Sequence, residues 1–88
     1  MERTVTVVPE HGLHARPAST FVETATEFDA EIQVAPADGD PVNAASMLAV
    51  SSLGVKTGED VRIIAEGADA EAALDALEAV LSAPEPGA

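Results

Sequence analysis

Seven consecutive residues, Gly12-Leu13-His14-Ala15-Arg16-Pro17-Ala18, gather a nucleophile, a guanidinium and a helix start. Imidazole is a usable nucleophile near neutral pH, because much of it is unprotonated. Arg16 offers a rigid planar fork to anionic oxygens. Pro17 suits the first turn of a helix and biases Arg16 toward extended backbone. His14 and Arg16 therefore fall just before, or on, the first helical positions. The N–H groups at such a start can cradle a phosphate. Gly12 lets the loop bend tightly ahead of the histidine. Together these residues make a coherent phosphoryl site. By residue type alone, the same segment also reads as a surface histidine beside a solvated or ion-paired arginine.

Positioning such a segment needs a scaffold, and the hydropathy pattern supplies one. Thr4 to Val8 is β-branched throughout and predicts a strand that Pro9 ends. Glu10 to Ala15 is a loop, and Pro17 opens a helix. Ala18, Phe21, Val22, Ala25 and Phe28 recur at helical spacing, and Asp29 and Ala30 close the element. Ile32 and Val34 alternate with Glu31 and Gln33 in a second strand. Asp38-Gly39 marks a hairpin turn, and Pro41 to Ala44 returns as a short edge strand. Ser46 suits the N-cap of a short helix running through Leu53, which Gly54 stops. After a turn at Lys56-Thr57-Gly58, Val61 to Ala65 forms the fourth strand, with Val61 and Ile63 on one face. Asp69 caps the last helix, whose buried stripe is Ala70, Ala73, Leu74, Leu77 and Leu81. Residues 84–88 are a frayed tail. The order is β-α-β-β-α-β-α in one domain over residues 1–88, and its economical packing is an α+β sheet with helices over one face.

Charge narrows the partners. The chain carries 16 Asp and Glu against 4 Lys and Arg, a formal charge of −12 over 88 residues. Such a surface repels nucleic acid and anionic membrane. The apolar fraction of 47% argues against disorder. No stretch is long and apolar enough to insert in a membrane, the N-terminus is no signal peptide, and cysteine is absent, so a cytoplasmic location is expected. The acidic surface, a single lysine and small core residues point to a salt-loving host.

The segment GLHARPA resembles the active-centre signature of HPr, the histidine-containing phosphocarrier family of the bacterial sugar phosphotransferase system. The likeness runs from the first strand through Leu81. Ser46-Met47-Leu48-Ala49-Val50-Ser51-Ser52-Leu53-Gly54 resembles the family's regulatory-serine helix, and Ala65-Glu66-Gly67 ahead of an acidic cap also fits. The resemblance implies an open-faced sandwich, an antiparallel sheet in the order 1-4-2-3 under three helices. It implies that His14 is phosphorylated on Nδ1 by enzyme I, with phosphoenolpyruvate as ultimate donor, and that a sugar-specific enzyme IIA or its equivalent takes the group onward. Arg16 matches the arginine that stabilises the phosphoryl group. Ala15 and Arg16 match the positions whose backbone N–H groups face its oxygens, and Pro17 matches the helix-starting proline. Thr20, Met47 and Leu48 match the partner-docking patch. Ser46 matches the serine that a dedicated kinase phosphorylates in some members. The implied protein is a monomeric carrier rather than an enzyme, and needs no cofactor.

Two positions depart from the family pattern. His11 stands where a small polar residue is common and reads as a loop histidine. Ala45 stands where kinase-regulated members often carry a basic residue, which favours a plain N-cap role for Ser46. Other functions keep parts of this reading. A regulatory interaction protein of the same fold would act through Ser46 and its docking surface. A nitrogen-related or dihydroxyacetone-kinase phosphorelay would keep the His14 chemistry and change the partners. A phosphohistidine phosphatase or mutase would need a placed acid, for which Glu10 is the candidate, and an enclosed pocket. His11 and His14 lack a third ligand for a metal site. The charge balance itself makes a prediction. Lowering salt lengthens the range of self-repulsion from about 3 Å at molar strength to about 10 Å at 0.1 M, so the urea midpoint should fall as KCl is reduced. A midpoint independent of KCl would remove the case for salt adaptation.

Overall fold

Period-two alternation builds a sheet with one apolar face, and the helices cover that face. The computed structural model describes residues 1–9, 12–13 and 15–83. Its elements are β1 (Glu2–Thr6), α1 (Ala15–Thr26), β2 (Glu31–Pro36), β3 (Val42–Asn43), α2 (Met47–Ser51), β4 (Asp60–Glu66) and α3 (Ala70–Ser82). The four strands lie in the order β1-β4-β2-β3, and each neighbouring pair is antiparallel. Helices α1, α2 and α3 pack on one face, giving the α+β open-faced sandwich expected from the sequence.

The register sets which side chains face inward. Val5 pairs with Val61, Val34 with Ile63 and Ile32 with Ala65, and all six are buried beneath the helices. Their alternate neighbours Thr4, Arg62 and Gln33 face the open side. From above, α3 buries Ala70, Ala73, Leu74, Leu77 and Leu81, the stripe read from the sequence. Helix α1 buries Ala18, Phe21 and Ala25, and partly buried Val22 and Phe28 pack against the same core. Arg3 shares the inward register of Val5 at the sheet edge. Its Nη1 donates to Asp75 Oδ1 at 2.6 Å and Glu78 Oε1 at 2.9 Å, tying β1 to α3. The hydrogen bond with Asp75 is the main cause that holds this guanidinium above its ordinary pKa.

Several boundaries differ from the sequence reading. Strand β1 starts at Glu2 rather than Thr4, because Met1 and Ala65 exchange both backbone hydrogen bonds at 2.8 Å and extend the ladder to the N-terminus. It ends at Thr6, because the Val8 N–H turns away to the Leu81 carbonyl. Helix α1 begins at Ala15, so Pro17 is its third residue rather than its first. Proline fits there because it remains within the first turn. The helix stops at Thr26, leaving Phe28 beyond it. Helix α2 stops at Ser51 rather than Leu53, where the Ser52 hydroxyl donates to the Leu48 carbonyl at 2.7 Å. Strand β3 shrinks to Val42–Asn43 and excludes Pro41. The expected tail at 84–88 lies outside the described residues.

Asp69 corrects the sequence reading in a more informative way. Its carboxylate makes no cap to α3. Instead it accepts the N–H groups of Asp29 at 2.9 Å and Ala30 at 2.8 Å, joining the start of α3 to the chain between α1 and β2. Replacing Asp69 with Ala leaves two backbone donors to water or to nothing. The expected loss is about 1–2 kcal/mol, read as a lower urea midpoint with unchanged slope. A loss under about 0.5 kcal/mol would show that solvent replaces the carboxylate fully.

Candidate functional site

The segment singled out for its chemistry leaves the sheet at Val7 and enters α1 at Ala15. The connection 55–59 straps it down. Val7 accepts the Gly58 N–H at 2.7 Å, and the Thr57 hydroxyl lies 3.3 Å from the Val7 carbonyl and 3.1 Å from that of Val8. Glu59 Oε1 accepts the Lys56 N–H at 2.7 Å and shapes that connection. The Val8 N–H bonds the Leu81 carbonyl at 2.8 Å, so the last turn of α3 reaches the same end of the molecule.

Gly12 and Leu13 then fix the approach to position 14. The Gly12 N–H donates to the Pro9 carbonyl at 2.8 Å, and Gly12 has φ +75°. A side chain there would place Cβ 2.3 Å from the Val55 carbonyl oxygen and 2.8 Å from Lys56 Cα. Both the backbone conformation and the space therefore demand glycine. Leu13 donates its N–H to the Val55 carbonyl at 3.0 Å and buries its side chain in the core, 1% exposed. The chain is thus anchored immediately before position 14 and resumes as helix at position 15.

His14, the expected phosphoryl acceptor, lies outside the described residues, as do His11 and Glu10. Ala15 and Arg16 form the first two helical positions, Pro17 and Ala18 are buried, and Arg16 and Thr20 are exposed on α1. Ser46 caps α2: its hydroxyl accepts the Ala49 N–H at 3.3 Å. Beyond the cap, Met47 is 40% and Leu48 79% exposed, so both members of the expected docking pair face out. Helix α2 packs against α1, the helix that carries Thr20. A concavity of about 340 Å³ opens elsewhere, between Pro36, Ala37, Asp38, Leu53, Gly54, Val55, Glu59 and Asp60. It includes none of the expected site residues and shares Val55 and Glu59 with the connection that supports them.

Sequence reasoning found the residue types and missed the support. The close approach of Gly12 to Val55 and Lys56 joins positions over forty residues apart, and the local signal was only a glycine before a histidine. No helix of the described residues is long and apolar enough to cross a membrane.

Comparison with known proteins agrees with this geometry. The family described as the PTS HPr component phosphorylation site matches residues 1–83. The phosphocarrier protein HPr of Haloferax volcanii is 71% identical over 86 residues, covering 97% of each chain. That of Streptomyces coelicolor is 53% identical over 76 residues, covering 86% of this chain and 82% of its own. The crystal structure of the HPr from Bacillus anthracis superposes with a TM-score of 0.88 at 43% identity, covering 93% of this chain and 96% of the other. Gly12 provides a test of the support. Gly12→Ala should lower stability by at least about 1–2 kcal/mol from the left-handed backbone alone, with the clash against Val55 adding to it. The check is a urea or thermal midpoint, and an unchanged midpoint would show that the 55–56 connection gives way freely.

Proposed function

The chain belongs to the HPr family of phosphocarriers, and on that premise we propose that His14 is the residue that carries the phosphoryl group. The chain relays phosphoryl groups within the phosphotransferase system, from enzyme I toward sugar-specific acceptors. The observation that carries the His14 assignment is the segment Gly12–Ala18. Its glycine and leucine are locked onto Val55 and its arginine opens a helix, on either side of a histidine.

The chemistry follows from those residue types. The Nδ1 lone pair attacks phosphorus as the bond to the donor enzyme breaks, giving a phosphoramidate. Arg16 and the backbone N–H groups of Ala15 and Arg16 orient and partly neutralise the phosphoryl oxygens. The hold must stay weak enough for onward transfer. Protonation of the imidazole makes it a better leaving group, so the N–P bond is acid-labile. Turnover of a small substrate is not required, and the protein serves as co-substrate of two larger partners.

The finer partners in this proposal are enzyme I, with phosphoenolpyruvate as ultimate donor, and a sugar-specific enzyme IIA or equivalent. They dock over Thr20, Met47 and Leu48 on a monomer. With phosphoenolpyruvate as the donor, the compartment is the cytoplasm. Ser46 serves as a helix cap, and its phosphorylation is absent or minor. A dianionic group there would sit beside the exposed Leu48 and repel acidic partner surfaces.

The test uses cognate enzyme I and labelled phosphoenolpyruvate, with mass spectrometry of the alkali-stable, acid-labile product. His14→Ala should accept no label and keep its fold. Arg16→Ala should fold and accept slowly, and His11→Ala should still accept. Label on His14→Ala at the wild-type rate would show that another residue carries the group.

A further inference from the structure

One peptide group carries the chain that leads into position 14. The Val55 carbonyl accepts the Leu13 N–H at 3.0 Å, and the same oxygen lies against Gly12, where a Cβ would meet it at 2.3 Å. The N–H of that same peptide belongs to Lys56 and donates to Glu59 Oε1 at 2.7 Å. A carboxylate therefore holds one end of the peptide whose other end holds the residue directly before position 14. Glu59 is itself pinned. Its N–H donates to the Lys56 carbonyl at 3.1 Å, and its carbonyl accepts the Val7 N–H at 2.9 Å, one residue past the end of β1. The connection is not stiff by sequence. It runs between Gly54 at φ +66° and Gly58 at φ +87°, and glycine permits many other turns there. The plane of the 55–56 peptide is then set by what its two ends bond to.

We infer that Glu59 is a positioning residue for phosphoryl transfer, acting on His14 through the 55–56 peptide and Leu13. The inference rests on the carrier reading above and adds to it a residue outside the Gly12–Ala18 segment. A carboxylate makes a shorter and stronger hydrogen bond to a backbone N–H than a neutral acceptor does. It also polarises the peptide it binds, so the Val55 oxygen becomes a better acceptor for Leu13. Transfer depends on where the attacking nitrogen stands, and a displacement of about 1 Å can cost on the order of 10²-fold in rate. The core fixes the Leu13 side chain, at 1% exposure, so the backbone bond to Val55 decides how the chain leaves Leu13 toward position 14. Glu59 suits this role because it is not part of the core. Its side chain and its bond to Lys56 are exposed, so removing it opens no cavity and water can reach the freed N–H. Global stability changes little, and the loss falls on orientation. What the peptide needs is an acceptor at that place. Glutamine presents Oε1 at the same reach, whereas alanine presents none.

The test compares Glu59→Ala, Glu59→Gln and Asp75→Ala. Asp75 bonds Arg3 at 2.6 Å across the β1–α3 edge, so its removal is a matched loss of one exposed carboxylate bond that does not involve the loop. Two quantities are read in molar KCl, where the change of charge is itself screened. One is single-turnover phosphoryl acceptance from phosphorylated cognate enzyme I as the carrier concentration is varied. The other is amide hydrogen exchange, followed residue by residue by NMR. Glu59→Ala should lower the maximal rate by about five- to tenfold and leave the half-saturating concentration within about twofold of wild type. Its Leu13 amide should exchange about tenfold faster than in the wild type. Glu59→Gln should bring both readings back to within about twofold of wild type. Asp75→Ala should move neither, whatever it does to the urea midpoint. A wild-type maximal rate in Glu59→Ala overturns the inference. So does Glu59→Gln as slow as Glu59→Ala, which would make charge the cause, or a loss of rate shared by Asp75→Ala. Unchanged Leu13 exchange in Glu59→Ala overturns it as well. The carrier reading fails separately: wild type that takes up no label from enzyme I rejects that reading, while uptake by wild type and equal uptake by all variants rejects only the role of Glu59.

Discussion

The chain has a single apolar layer, and each element meets it through one side only. Val5, Val34, Val61, Ile63 and Ala65 line the sheet's inner face, and Phe21, Leu74, Leu77 and Leu81 meet them from the helices. Among the described residues no second layer lies beneath the sheet, where Thr4, Gln33 and Arg62 point. Many contacts are made by alanines, which bury little area each but let backbones approach closely. The result is a fold whose stability margin depends on tight packing in one plane. Leu13 is part of that plane. The loop leading to position 14 is therefore held by the core itself, through a buried side chain and a backbone bond to Val55. Bonds from Thr57 and Gly58 to the Val7 and Val8 carbonyls add to that hold.

Electrostatics is arranged around the same plane. Arg3 bonds Asp75 and Glu78 across the β1–α3 edge, and Arg62 donates to the Gly39 carbonyl at 2.9 Å with Glu2 at 3.8 Å. These exposed or half-exposed pairs contribute little stability each. They involve two of the chain's four cations, Arg3 and Arg62. Arg16 and Lys56 lie in residues 11–22 and 41–58, which contain no Asp or Glu. A dianionic phosphoryl group and an acidic coat are mutually repulsive, and a phosphocarrier with this charge balance gains from having stretches of chain, 11–22 and 41–58, without Asp or Glu.

How much of this was legible in the sequence depended on the range of the interaction. The α3 stripe was fully readable because helical spacing and burial are local to one element. The Ser46 cap was readable for the same reason, with acceptor and donor three residues apart. Asp69 was misread because its position before a helix suggests a cap, while its real partners, Asp29 and Ala30, are forty residues away. The limits of β1 were set by Met1 against Ala65 and by Val8 against Leu81, neither of which leaves a pattern in the strand. At the site, residue types and order were legible from GLHARPA. The reason Gly12 must be glycine lies in Val55 and Lys56, which nothing near Gly12 announces.

The exposed apolar pair on α2 follows from helix geometry. Five residues complete little more than one turn, and successive side chains are about 100° apart. Such a helix has one inward direction, and Val50 occupies it with no exposure. Met47, three positions earlier, shares that side only partly, and Leu48 is turned away from it. Burying Leu48 would require a longer helix or a second layer, and the thin core provides neither. A lone exposed leucine is ordinary on a protein surface. This one lies on a helix that packs on α1, and α1 begins directly after position 14. The shortness of α2 thus turns a packing constraint into an exposed apolar side chain.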